Sequence, residues 1–275
     1  MRVSSRPKHV GRSGRAGPVV AVLAAVGLAL LVLPLLGLLL RAPWAELPGL
    51  LASEAVLQAL GLSLGTAAVS TVLCLTFGIP IAVLLSHSVH WGVVPRRLLR
   101  AAITIPLVLP PVVGGIALLL LLGRRGIVGQ WLAEIGITIP FTTGAVVIAQ
   151  TFVAMPFLVF AVEGALRSAD RRSELAAATL GATPGQTFRL VTLPLVAPGI
   201  AAGAVLCFTR ALGEFGATIT FAGSFPGVTR TLPIASYLAM NSDPDTAIAL
   251  ALVLLAVSLV VLLGLRDRWL PGVVK

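Results

Sequence analysis

The stretch ELAAATLGATPGQTFRLVTLP, Glu174 to Pro194, decides how the chain is read. It is the longest polar interruption in a sequence that is otherwise almost continuously apolar, and a long hydrophobic run lies on each side of it. Its alanine-rich first half ends at Gly181, and Thr183-Pro184 then gives a fresh helix start. Thr accepts hydrogen bonds at an N-cap, Pro fits the first helical position, and Gly is favoured just past a helix end. The spacing predicts two short helices with a tight bend between them, lying at one surface of a membrane.

The membrane is required by composition. Of 275 residues, 57% are hydrophobic and only 11% charged, less than half of the roughly 25% charged residues of a soluble domain. Charge-free gaps separate Arg15 from Arg41, Glu54 from Arg96, Arg100 from Arg124, Glu134 from Glu163, Arg189 from Arg210 and Asp245 from Arg266. Each gap can supply the roughly 20 residues that a helix needs to cross about 30 Å of hydrocarbon. The fifth span is expected to continue past Arg210 and Glu214 to about Phe221. Six transmembrane helices follow, since a lone strand cannot satisfy its backbone groups in lipid. The fold class is an all-α integral membrane protein.

The net charge of +10 is distributed by side, which argues against a nucleic-acid partner. Arg2, Arg6, Lys8, Arg12 and Arg15 precede span one, and Arg96, Arg97 and Arg100 follow span two. Arg167, Arg171, Arg172 and Arg189 lie between spans four and five, and Arg266, Arg268 and Lys275 follow span six. The other side receives only Arg41, Arg124, Arg125 and Arg230. By the positive-inside rule the termini and the Glu174–Pro194 element are cytoplasmic, and the chain is a multi-pass protein of the cytoplasmic membrane with lipid around it.

Residues 1–17 read as a disordered, basic cytoplasmic N-terminus, and 18–40 as an accessory first span, too long for the apolar core of a signal peptide. The main domain covers 54–266, with further spans at about 59–85, 101–122, 138–162, 195–221 and 246–265. A cytoplasmic element occupies 167–194 and a short tail 267–275. Span three opens with Pro106, Pro110, Pro111, Gly114 and Gly115, so it must kink or break there. Such a break serves either as a packing kink or as a bend bordering a translocation path. Met155-Pro156 kinks span four, and span six is uniformly aliphatic.

Few residues could carry chemistry. Arg210 and Glu214, four apart on one helix face, are ionisable groups inside a span. They are either a mutually neutralising tether or a pathway pair, with Gly213, Gly216, Ala217, Thr218 and Thr220 as a small, hydroxylated wall. Cys74 and Cys207 lack metal or redox spacing and read as packing residues. His9, His87 and His90 have no ligand-spaced partners, so no metal and no catalytic residue is assigned. A GxxxxGK[ST] phosphate loop is absent from the sequence, so the chain is not itself an ATPase of that kind.

The opening stretch resembles the EAA signature of binding-protein-dependent ABC importer permeases. The matching residues are Glu174, Ala176, Ala177, Gly181 and, after the family's interval, Val191-Thr192-Leu193-Pro194. Leu175 separates Glu174 from the alanines, a departure from the simplest form that is shared with the molybdate and sulfate branch. Ile105–Gly129 is similar to the third span of molybdate permeases, including the Gly-Arg-Arg-Gly exit. Arg210–Tyr237 is similar to their fifth span and outer loop; sulfate permeases share the RxxGEFG core and usually depart around the double proline.

The resemblance implies a type I ABC importer permease fold, a homodimer, and import of molybdate and also tungstate. It implies two partner ATP-binding subunits, which use ATP and Mg that this chain does not bind, and an extracytoplasmic binding protein. Glu174 would make the polar contact with the ATPase, Ala176 and Ala177 would allow close approach, Gly181 would make the bend, and Leu193 and Pro194 complete the motif. Pro110, Pro111, Gly114, Arg210, Glu214 and Thr218 are the pathway or gating candidates. The alternatives are a sulfate or thiosulfate permease, a secondary transporter using Arg210 and Glu214, and a membrane scaffold.

Overall fold

The computed structural model describes residues 18–269, without the side chains of residues 171, 262 and 264–269. The N-terminal segment 1–17 and residues 270–275 of the expected tail lie outside the described residues. The chain divides into two units, 1–42 and 43–275. The described part of the first holds one helix, α1 (Pro18–Leu40), apolar along its whole length with Pro34 inside it. Its 23 residues rise about 34 Å, enough to cross a bilayer.

The second unit begins with a short helix, α2 (Leu47–Leu51), and the long α3 (Glu54–His87), extended by a 3-10 turn at Ser88–His90. Next come α4 (Val93–Val108), α5 (Pro111–Leu122) and the short α6 (Gly129–Glu134). The central helix α7 (Thr143–Ser168) leads into α8 (Arg171–Thr179) and α9 (Pro184–Thr187). A π-helical turn at Phe188–Thr192 runs straight into α10 (Leu193–Leu212), which is followed by α11 (Gly216–Ala222), α12 (Leu232–Ala239) and α13 (Pro244–Trp269). No strand occurs among the described residues.

Among the described residues, five helices are long and apolar enough to cross a membrane, and the bent pair α4 and α5 makes a sixth crossing if it is one span. The core forms around α7, which packs against α3 on one flank and α10 on another, with α11 against its first half. Small residues permit this. Ala145, Ala149 and Ala154 of α7, Ala67 and Cys74 of α3, and Cys207 and Ala211 of α10 are fully buried. Cys74 and Cys207 thus sit in the core as small packing side chains, both free. Between membrane helices, small side chains let backbones approach where no hydrophobic gain over lipid is available. The aliphatic sixth span, α13, packs on α12 and α10.

Two spans are not continuous. Span three, expected to kink or break, bends by 115° between α4 and α5. Pro110 caps α5 and Pro111 occupies its first turn, where a missing N–H is harmless. Span five departs from its expected course: α10 stops at Leu212, and α11 starts only at Gly216. The physical reason is a side-chain cap. Glu214 accepts the backbone N–H of Ala217 at 2.8 Å and so starts a new helix where periodicity alone suggested continuation.

Candidate functional site

The Glu174–Pro194 element folds from its own local signals. Asp170 caps α8 by accepting the N–H of Arg172 at 2.9 Å. At the other end Gly181 adopts φ +85°, and the N–H groups of Ala182 and Gly181 return to the carbonyls of Ala177 and Ala178, both at 3.0 Å. This is the Schellman closure, which a residue with a Cβ adopts only under strain. Thr183 and Gln186 then form a reciprocal capping box at the start of α9, with Pro184 in the first turn. The two short helices and the tight bend read from the sequence are both present.

Glu174 has a partner within the chain. Its Oε1 accepts the hydroxyl of Thr192 at 2.7 Å, so the carboxylate clasps α8 to the π-helical turn that leads into the membrane. Thr192 is buried, whereas Glu174 is half-buried. A cleft of about 770 Å³ opens beside this clasp, lined among others by His87, Arg167, Glu174, Ala178, Phe188 and Thr192. Leu175, Leu180 and Leu190 are instead exposed, Leu180 by 87%. The sequence reading noted Leu175 only as a spacer and did not single out Leu180 or Leu190. Unpartnered apolar side chains on an otherwise polar turn were the available signal. Ala176 and Gly181 are exposed and Ala177 half-buried, while Leu193 and Pro194 open α10 beyond the π-helical turn.

The pathway candidates gather at the two helix breaks. A Cβ on Gly216 would lie 2.8 Å from Cβ of Pro111, and a Cβ on Gly115 would lie 2.8 Å from the carbonyl oxygen of Ala217. The break in span three therefore touches the break in span five. Gly114 faces the ring of Phe152 on α7, which a Cβ would meet at 3.1 Å. Glu214, 1% exposed, also receives Arg210 at 2.7 Å across one helix turn. Arg210 stands in the last turn of α10 and Glu214 just before α11, so each charge suits the helix end that it faces. The pair links the end of α10 to the start of α11.

Thr218 is fully buried on α11 and its hydroxyl has no hydrogen-bond partner. Gln150 on α7 is also fully buried, and neither its amide nitrogen nor its oxygen has a partner. Leaving such a group unsatisfied costs about 1–3 kcal/mol, so both residues are tolerated at a cost that ordinary packing does not explain. Gln150 was missed from the sequence; a carboxamide in the middle of an apolar span was the signal.

A second ionic cluster was also missed. Glu163, 3% exposed near the end of α7, receives Arg167 at 2.7 Å and Arg100 of α4 at 2.9 Å. The Glu163–Arg167 spacing of four was visible, whereas the pairing with Arg100 across 63 residues was not. Among the described residues, no group of three or more His, Cys, Asp or Glu could hold a metal ion.

The chain is similar to known proteins in sequence and in fold. Residues 78–271 match the model of the family described as binding-protein-dependent transport system inner membrane component. The molybdenum transport system permease protein ModB of Mycobacterium tuberculosis is 51% identical over 245 residues, covering 89% of this chain and 92% of the relative. ModB of Escherichia coli K12 is 41% identical over 217 residues, covering 78% and 93%. The sulfate transport system permease protein CysT of the same organism is 34% identical over 241 residues, covering 86% of each chain. Among solved structures, a bacterial ABC transporter that imports the acidic polysaccharide alginate superposes with a TM-score of 0.68 over 93% of this chain and 95% of its own. Identity there is 20%, so the likeness is one of fold. The chain belongs to the inner membrane components of binding-protein-dependent transport systems, a multi-pass transport subunit with the type I ABC importer permease fold.

Proposed function

We propose that this chain is the translocation subunit of an ATP-driven importer of molybdate, and also of tungstate, across the cytoplasmic membrane. One observation carries the substrate class: identity of 51% and 41%, nearly end to end, with permeases named for molybdenum transport, against 34% with a sulfate permease. The family membership sets aside a secondary transporter. The Arg210–Glu214 pair supports the same view, since its two charges hold helix ends and each other.

The six crossings contain one set of breaks and supply half of a pathway, so the working unit is a two-fold homodimer. Two ATP-binding subunits, which use ATP and Mg, dock on the Glu174–Pro194 elements. The exposed Leu175, Leu180 and Leu190 supply apolar contact, and Ala176 lets the partner approach closely. Glu174 acts first as the clasp on Thr192 and keeps the turn in shape for docking. An external binding protein delivers the oxyanion to the opposite end, where Thr143 at the start of α7 holds the 223–231 loop through the carbonyl of Val228. Both termini lie in the cytoplasm on this reading, which the charge distribution supports.

Closure of the ATPase dimer moves the docked elements, and the permease rocks between inward-open and outward-open states as rigid bodies. The touching breaks of spans three and five give that motion a joint inside the membrane. Because cargo must be released, the path binds the oxyanion weakly, and selectivity rests chiefly on the binding protein.

Reconstitution into vesicles with the ATP-binding subunit and the binding protein tests this reading. Molybdate-loaded and tungstate-loaded binding protein should each stimulate ATP hydrolysis and uptake, and sulfate-loaded protein should not. Equal or stronger stimulation by sulfate would replace the substrate assignment.

A further inference from the structure

The half-helix α4 is loosely held. None of its residues is buried, and the 115° bend at Leu109–Pro110 removes the stiffness that a continuous helix would give it. Its attachments to the bundle include the half-buried Leu99 and Ile103, which pack on the core, and Arg100. The guanidinium of Arg100 donates to both oxygens of Glu163, at 2.9 and 3.3 Å, and lies 5.9 Å from the centre of the Phe160 ring. Both aromatic face and carboxylate belong to α7, so a single side chain is anchored twice on one helix.

Glu163 is shared. Its Oε1 also receives Arg167 at 2.7 Å, and Arg167 lines the cleft that the Glu174–Thr192 clasp lines from the other side. The carboxylate therefore stands between two parts of the structure. On one side is the cleft wall formed with the coupling element, and on the other is the hinged half of span three. Beyond the hinge, α5 meets α11 through Gly115 and Gly216. The shared cleft, Arg167, Glu163, Arg100 and the hinge thus lie in order between the surface element and the paired breaks.

We propose that Glu163 is a positioning residue that transmits movement of the Glu174–Pro194 element to α4, and through it to the breaks. The inference rests on the transport reading above for what is moved, and on geometry alone for the tether. The charges of the cluster make its parts separable. Removing Arg100 leaves Glu163 neutralised by Arg167, so α7 is undisturbed and only α4 is released. Removing Glu163 leaves two guanidinium groups with no carboxylate between them.

The test uses the full chain in lipid with Cys74 and Cys207 replaced by Ala and spin labels on Leu98→Cys and Ser168→Cys, which are both exposed. The label distance should be narrowly distributed in the parent, broad in Arg100→Gln and in Glu163→Gln, and narrow again in Arg100→Lys. In the complex reconstituted with ATP-binding subunit and binding protein, Arg100→Gln should keep ATP hydrolysis and subunit co-purification. Its molybdate transported per ATP hydrolysed should fall by at least about fivefold, the lower end of common coupling factors. Arg100→Lys should restore most of it. An unchanged label distribution in Arg100→Gln overturns the tether whatever the cargo is. An unchanged transport per ATP, with the parent transporting, overturns the transmission. A parent complex that hydrolyses ATP without moving molybdate would sink the substrate assignment instead, and the label distances would still decide on the tether.

Discussion

The Glu174–Pro194 element and the paired helix breaks both depart from regular helix, and they are built in opposite ways. The element is local: its cap at Asp170, its closure at Gly181 and its capping box at Thr183 each join residues within five positions of one another. The breaks are joined to each other by contacts that the chain makes only when folded, Gly115 against Ala217 and Gly216 against Pro111. A local motif can be exposed to water and still hold its shape, which suits a surface that a partner grips. Contacts between remote segments hold only while both segments stay packed, which suits a joint that opens.

The largest effect should come from the joint. Arg210→Ala leaves Glu214, 1% exposed, without its counter-charge, and breaking a buried ion pair in this way costs about 3–5 kcal/mol. Glu214→Gln should cost less, because the amide oxygen still accepts the Ala217 N–H and the charge left unpaired, on Arg210, is 28% exposed rather than buried. Thermal unfolding of the two purified variants ranks them. A Glu214→Gln variant less stable than Arg210→Ala would mean that an unpaired Arg210 costs more than an unpaired Glu214.

Next is Gly216→Val. Its Cβ would overlap Pro111 at 2.8 Å, and overpacking of this kind costs about 1–3 kcal/mol. Transport in reconstituted vesicles should fall while the ATP-binding subunit still co-purifies, since the Glu174–Pro194 element is untouched. Loss of co-purification would show that the two regions are not independent.

Gly181→Ala strains the element itself. The residue holds φ +85°, and an L side chain in that region costs about 1–2 kcal/mol. Open space surrounds the position, so the whole penalty is backbone strain. Co-purification of the ATP-binding subunit should weaken while thermal unfolding of the permease alone shifts little, the reverse of the Gly216→Val pattern.

The same contrast explains what could be read without coordinates. The apolar spans were legible because charge is expelled from lipid, and the surface element because its caps are short-range signals. The break in span three was announced by Pro110-Pro111. That in span five was not, because Gly213 is tolerated inside membrane helices and Glu214 looks like an ionic partner for Arg210 whether or not the helix continues. Only the folded backbone shows the same carboxylate capping α11. Arg100 and Glu163 were read as the edges of charge-free gaps, which hid that they are partners.

Thr192→Val is the smallest and most discriminating change. It removes one hydrogen bond to Glu174, worth about 0.5–1.5 kcal/mol, and leaves the carboxylate in place. If Glu174 serves the ATP-binding subunit by holding the turn, then Thr192→Val and Glu174→Ala should weaken co-purification to a similar degree, with the permease still inserted and dimeric. If the carboxylate serves by touching the partner, Thr192→Val should bind normally or more tightly, because the oxygen is released for that contact. Titration of the ATP-binding subunit onto each variant separates the two. The clasp at 2.7 Å, with Thr192 buried beneath it, favours parallel losses. That outcome would make the most polar residue of the signature part of the element's local scaffold, and would leave the gripping surface to the exposed leucines around it.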